Sequence, residues 1–328
     1  MFLVCKECGE YSNSEDIWVW CKPCNARHFQ EKFGTWTSGN SVIDKFIQET
    51  QLSASDHFQK LEWIPYNLFT DVTYLSQGGF GKVYKAIWKR GYIYKWDIEK
   101  KDWSRRGDLL GDTKVVLKSL YNSEEIYSEF FDEIRSQLKS IIVKRGYRVI
   151  PCYGITRNPE SSDFMMVMRY AEEGSLRHYL DKNFHSLDWY QKLKILYMTL
   201  RGLEDIHNAG LTHRDFHGGN IVLFNFEDAC ITDFGLCKPI TSNELKYQFG
   251  KWFGVYDSKE YDEFWDQVKE IERWKKTNPT NVDPSGSGIV NAVLELSGDP
   301  PFIAWHCDVM SDSHPDLLLE MIIRKFWV

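Results

Sequence analysis

The sequence predicts an α+β chain, and three observations carry that prediction. Strand patterns flanking a glycine turn run from Leu75 to Lys85, and a third alternating stretch follows at Val115–Leu120. Helical apolar spacing then takes over at 122–142 and at 187–209. Ahead of both stand two Cys-x-x-Cys pairs, Cys5/Cys8 and Cys21/Cys24, twelve residues apart.

The elements follow in order. Residues 41–61 read as a helix, with Val42, Phe46, Ile47 and Leu52 at three-to-four spacing. Pro65 ends that segment, because a proline disfavours helix at the residue before it. Residues 88–112 are charged and aromatic and read as an insertion between strands, its tip at Trp103–Gly111. Residues 122–142 read as a helix with Asn122 and Glu125 as a capping box. Ile126, Phe130, Ile134 and Leu138 form its apolar stripe, with Glu133 at the border. Met165–Tyr170 reads as a strand, Leu187–Ala209 as a long helix, and Ala229–Ile231 as a strand. Residues 241–328 change character, with a linker-like run at Asn278–Gly288 and helical stretches at 258–276 and 315–327. The domains expected are a zinc-ribbon-like knuckle at 1–40, a linker helix at 41–64, a main domain at 65–240 and a divergent region at 241–328.

The chain has 328 residues, 43% of them hydrophobic, and a net charge of −7. That charge opposes binding to nucleic acid through bulk electrostatics. The first 40 residues repeat the point, with four basic against five acidic side chains. Met1–Val4 meets Cys5 and Lys6 too soon for a signal peptide, and no apolar run is long enough to span a bilayer. The expectation is a protein of the cytoplasm, with the nucleus also open to it, binding neither nucleic acid nor membrane.

Clustered cysteines with no secretion signal favour metal over disulfides. Cys5, Cys8, Cys21 and Cys24 can converge as four thiolates on one tetrahedral zinc ion, each pair on a tight knuckle. Four protein ligands close the site, so the zinc would be structural. The thiolates are the only anchor evident for this segment, and His28 reads as a surface residue, with a substitute metal ligand as the alternative.

The chemistry-bearing motifs lie further on. Gly78, Gly79 and Gly81 let backbone N–H groups approach a phosphate, with Val83 beginning the next strand. Val116 and Lys118 share one strand face, so Val116 can touch a nucleotide base while Lys118 reaches its phosphates. Glu133 can pair with Lys118 and hold it. In His213-Arg214-Asp215-Phe216-His217-Gly218-Gly219-Asn220, Asp215 is a candidate base for an acceptor hydroxyl and Asn220 a magnesium ligand. Asp233, in Asp233-Phe234-Gly235, is a second magnesium ligand that bridges phosphates.

These four motifs, in this order, resemble a protein kinase of the tyrosine-kinase-like group from Tyr66 to about Ile240. The cysteine-rich start and the Gly-Gly-Phe-Gly loop are also similar to kinases greatly expanded in arbuscular mycorrhizal fungi. The resemblance implies a two-lobed protein-kinase-like fold behind a small zinc ribbon, with a C-terminal lobe that is divergent or truncated. It implies ATP and magnesium as cofactors, a protein substrate, and Lys118, Glu133, Asp215, Asn220 and Asp233 as the catalytic set. It makes Met168 the gatekeeper beside the adenine and gives the backbone of Arg169 and Ala171 the hydrogen bonds to the base. His217 stands where serine/threonine kinases carry a lysine, and Gly219 where tyrosine kinases carry an arginine. No Ala-Pro-Glu follows Ile240. The expected activity is transfer of the ATP γ-phosphate to a protein serine or threonine in intracellular signalling. The alternative is a pseudokinase scaffold that binds nucleotide without efficient transfer.

Overall fold

The computed structural model describes residues 3–12, 20–78, 81–106, 111–119, 127–141, 147–225 and 228–239. The chain divides into two compact units, Met1–Ala171 with Thr232–Cys237, and Glu172–Ile231 with the chain from Lys238. The Asn122/Glu125 cap, Gly79 and the helical stretches expected after residue 241 lie outside the described residues.

The first unit opens on a knuckle. Strands β1 (Leu3–Val4) and β2 (Tyr11–Ser12) pair antiparallel, and the turn between them carries Cys5 and Cys8. The Gly9 N–H donates to Cys5 O at 2.9 Å, with Gly9 at φ +76°, a conformation that suits glycine. The second cysteine pair does not repeat this knuckle. Helix α1 (Lys22–Lys32) starts directly after Cys21, so Cys24 lies in its first turn. Pro23 explains the difference, since its fixed φ favours the first helical turn.

Helix α2 (Ser41–Ser53) starts where the Asn40 side chain accepts the N–H groups of Val42 and Ile43. Its buried stripe keeps Phe46 and Ile47 of the expected set but has Ile43 and Thr50 in place of Val42 and Leu52. Val42 is 53% exposed and Leu52 38%, because the i, i+3, i+4, i+7 set that begins at Ile43 faces inward.

A six-stranded sheet forms the body of this unit, in the order β3-β9-β10-β8-β5-β4. The strands are β3 (Glu62–Trp63), β4 (Phe69–Gly78), β5 (Gly81–Trp88), β8 (Thr113–Ser119), β9 (Cys152–Arg157) and β10 (Phe164–Arg169). β3 joins parallel to β9 opposite Gly154. A Cβ at Gly154 would fall well inside contact distance of the Glu62 carbonyl, so this approach requires glycine.

The insertion is a hairpin, β6 (Ile93–Asp97) with β7 (Asp102–Arg105). Its turn is at residues 98–101, not at the expected tip; Trp103 sits inside β7, opposite Trp96. An aromatic ring gains more packed than at a loop tip, and Trp103 stacks on Phe29 of α1 at 4.2 Å and on Trp20 at 6.2 Å. His28, expected on the surface, is buried and stacks on Trp96 at 3.7 Å. The Trp20 Nε1–H donates to Ala54 O at 3.1 Å. The cysteine segment therefore has anchors beyond its thiols, and the expectation of a single anchor fails.

Helix α3 (Tyr127–Lys139) buries Phe130, Phe131, Ile134 and Leu138.

The second unit packs Leu176, Leu187, Ile195, Met198, Ile221, Leu223 and Ala229 into one core. Its helices are α4 (Leu176–Asn183) and α5 (Trp189–Asn208). A capping box of Asp188 and Gln191 starts α5, so the helix begins at Trp189 and not at Leu187. Short strands β11 (Gly174–Ser175), β13 (Ile221–Asn225) and β14 (Asp228–Ile231) form one sheet; β12 (Leu211–Thr212) pairs β15 (Lys238–Pro239). Among the described residues no helix is long and apolar enough to cross a membrane.

Candidate active site

Alternation along β8 places Val115 and Leu117 on one face, fully buried, and Val116 and Lys118 on the other. Register sets the neighbours: Val83 of β5 lies opposite Lys118, and Met168 of β10 opposite Val116. Gln77 pairs Lys82 and Gly78 pairs Gly81 at the mouth of the glycine turn. Ser119, which the sequence reading missed, fixes that turn to β8: it accepts the Lys82 N–H at 3.1 Å and donates to Lys82 O at 3.2 Å. A serine after a lysine carries no signal of its own in a sequence.

Lys118 is buried, 8% exposed. Its ammonium lies 2.8 Å from Glu133 Oε1 and 2.9 Å from Asp233 Oδ1. Burial alone would depress the Lys118 pKa, but the Glu133 and Asp233 carboxylates outweigh it and hold the pKa above its ordinary value. Asp233 takes φ +64°, which an aspartate tolerates better than most residues, and Phe234 beside it is buried. Gln137, one turn beyond Glu133, donates to Ile150 O at 2.6 Å and lies 3.9 Å from the Met168 sulfur. Ala171 is buried near the end of this stretch.

In the second unit, the loop from His213 to Asn220 is tied to itself. The Asn220 side-chain amide donates to Asp215 Oδ2 at 2.8 Å and to Asp215 O at 3.0 Å. Buried His213 accepts the Asp215 N–H on Nδ1 at 3.3 Å. The Gly219 N–H donates to His217 Nδ1 at 3.0 Å, which leaves Nε2 to face Asp215 Oδ1 at 3.6 Å. Arg214 holds φ +64°, a strained backbone of the kind found at functional loops.

The four cysteines meet. All their sulfurs lie within 4.8 Å of one another, with Cys5 to Cys24 at 3.9 Å and Cys8 to Cys21 at 3.6 Å. Sulfurs 2.3 Å from a tetrahedral ion would stand about 3.8 Å apart, so the cluster fits such an ion. The Glu7 carboxylate pairs with Arg27 and lies 2.9 Å from His28 Nε2.

The sequence profile described as "Protein tyrosine and serine/threonine kinase" matches residues 70–252. The chain belongs to this protein kinase family. Among its relatives is the "Probable serine/threonine-protein kinase CST" of Arabidopsis thaliana, 29% identical over 184 residues, 56% of this chain and 40% of that protein. The serine/threonine-protein kinase CLA4 of Candida albicans is 27% identical over 245 residues, 73% of this chain and 21% of that protein. The stress-activated protein kinase alpha of Dictyostelium discoideum is 26% identical over 174 residues, 52% of this chain and 23% of that protein. The chain thus spans less than half the length of each of these three. The matched segment contains Gly78 to Val83, Lys118, Glu133, the loop from His213 to Asn220, and Asp233.

Proposed function

We propose that this protein is an ATP- and magnesium-dependent protein kinase of the tyrosine-kinase-like group, acting on serine or threonine hydroxyls in intracellular signalling. The observation that carries the reading is the Lys118–Glu133–Asp233 cluster, two carboxylates drawn onto one ammonium, one of them from 115 residues away in sequence. An ammonium fixed between carboxylates is a cation held ready for the α and β phosphates of ATP. Asp215 accepts the proton of the acceptor hydroxyl as its oxygen attacks the γ-phosphorus, and ADP leaves with the electron pair of the broken P–O bond. Asn220 commits its amide nitrogen to Asp215, so its oxygen is the atom that would serve as a ligand. Asp233 in the first unit and Asn220 in the second are each candidate ligands for magnesium, a hard cation suited to their oxygens that would neutralise phosphate charge. Gly78, Gly79 and Gly81 would cover the phosphates, while Val83, Val116, Met168 and Ala171 would frame the adenine. Cys5, Cys8, Cys21 and Cys24 would hold a structural zinc.

A specific observation favours a second reading, a pseudokinase scaffold: His217 stands in place of the usual lysine, and no Ala-Pro-Glu follows Ile240. One experiment separates the two. The chain is incubated with γ-labelled ATP, magnesium and a generic protein acceptor, with Asp215→Asn as control. Label on serine or threonine, absent in the control, supports the kinase. Nucleotide binding without label supports the scaffold.

A further inference from the structure

Helix α3 is gripped from two sides. Phe131 and Arg135 are four residues apart and share one face, whereas Glu133 lies about 200° around the helix from Phe131. The Glu133 side meets Lys118. The opposite side meets α2, which lies outside the residues 70–252 matched by the family profile. There the Phe46 ring is 4.2 Å from the Phe131 ring, and the Arg135 guanidinium sits 4.9 Å over Phe46. Phe46 is buried, flanked by Ile43 and Ile47 at 0% exposure.

α2 is itself fixed in place. Gln51 on α2 donates to Leu61 O at 2.8 Å, and the Trp20 indole donates to Ala54 O at the helix end. Gln59, in the segment after α2, donates to Ile141 O at 3.1 Å, just past the end of α3. Close-packed side chains transmit displacement because they leave no room to yield. A helix backed by a fixed neighbour cannot move away from the sheet without opening a void.

We infer that Phe46 is a positioning residue: it backs α3 and thereby keeps Glu133 against Lys118. Its meaning for catalysis rests on the kinase reading above, but its mechanical role does not. The test uses the full chain and two readouts. Amide hydrogen exchange follows residues 127–139, and steady-state kinetics follow kcat/KM for ATP. In Phe46→Ala, exchange along α3 should speed up about tenfold or more and kcat/KM for ATP should fall about tenfold. In a Glu133→Gln background, Phe46→Ala should lower kcat/KM no further, because the contact it protects is already gone. Phe46→Leu keeps most of the apolar volume, folds if the alanine variant does not, and should give the same pattern at smaller size. Val42→Ala, on the exposed face of the same helix, should match wild type. Unchanged α3 exchange in the Phe46 variants overturns the inference. So does an equal loss of kcat/KM in both backgrounds, which marks general destabilisation. A wild-type chain that transfers no phosphate overturns the kinase reading instead, and the exchange data still decide whether Phe46 holds α3.

Discussion

The Lys118 ammonium and the Asp233 carboxylate meet at 2.9 Å across 115 residues of sequence. A strand in the middle of the sheet and the Asp-Phe-Gly turn contribute one side chain each to the same buried place. The pair determines what loss of either residue should do.

Lys118→Met would leave the Glu133 and Asp233 carboxylates facing each other without a cation. Breaking a buried ion pair from one side is costly, and here about 2–3 kcal/mol of stability should be lost, because Glu133 can relieve part of the cost by taking up a proton. Phosphoryl transfer should fall by about a hundredfold or more. Lys118→Arg keeps the charge and should recover most of the stability but not the transfer, since a planar fork does not match a point-charge site. Urea unfolding and a transfer assay check both. Wild-type transfer in Lys118→Met would remove Lys118 from the nucleotide site.

Asp215→Asn exchanges a carboxylate for an amide of the same shape. Loss of a positioned base costs about 100- to 10,000-fold in rate. ATP affinity should stay within about twofold, because the role given to Asp215 is toward the acceptor hydroxyl. Isothermal titration with ATP and magnesium measures the second quantity. A large loss of affinity with a small loss of rate would contradict the role assigned to Asp215.

Glu62 is the acid-sensitive joint of the first unit. It is buried, 2.6 Å from Lys60 Nζ and 2.7 Å from an Arg105 guanidinium nitrogen, and it accepts the Ile93 N–H at 2.8 Å. Burial alone would raise its carboxyl pKa, but Arg105 and Lys60 outweigh that and hold it below the ordinary range. A depressed carboxylate contributes stability that is present above the unfolded pKa, about 4.3 for Glu, and lost as pH falls through the folded value. Wild-type stability should therefore drop more steeply below about pH 5 than that of Glu62→Gln. At neutral pH Glu62→Ala should cost about 3–5 kcal/mol, since buried Lys60 would lose the carboxylate 2.6 Å away. Denaturant midpoints across pH 3 to 7 report both; parallel curves for wild type and Glu62→Gln would rule out this joint.

Chelation should release the knuckle at residues 3–12 and the first turn of α1, because thiolate ligation supplies folding energy to structural zinc sites. Trp20 and Phe29 should stay packed on Trp103, and ATP binding should persist. Metal analysis should find a single zinc per chain. No zinc, or identical proton spectra for the knuckle before and after chelation, would refute the zinc assignment.

The sequence by itself determined the local features. Strand alternation put Val116 and Lys118 on one face; the cysteine spacing brought four sulfurs together; the glycine turn and the Asp215–Asn220 loop were legible as motifs. Each depends on residues at most 19 positions apart, so periodicity, motif spacing and turn chemistry suffice. Which face of α2 is buried, where the insertion hairpin turns and how deeply Lys118 lies were decided by the tertiary structure. Phe46 against Phe131, Trp103 on Phe29 and Lys118 on Asp233 are contacts between segments tens to more than a hundred residues apart. No local pattern encodes such contacts, because burial and ion pairing depend on which surfaces the fold brings together, and those surfaces exist only once the strands have paired and the helices have packed on them.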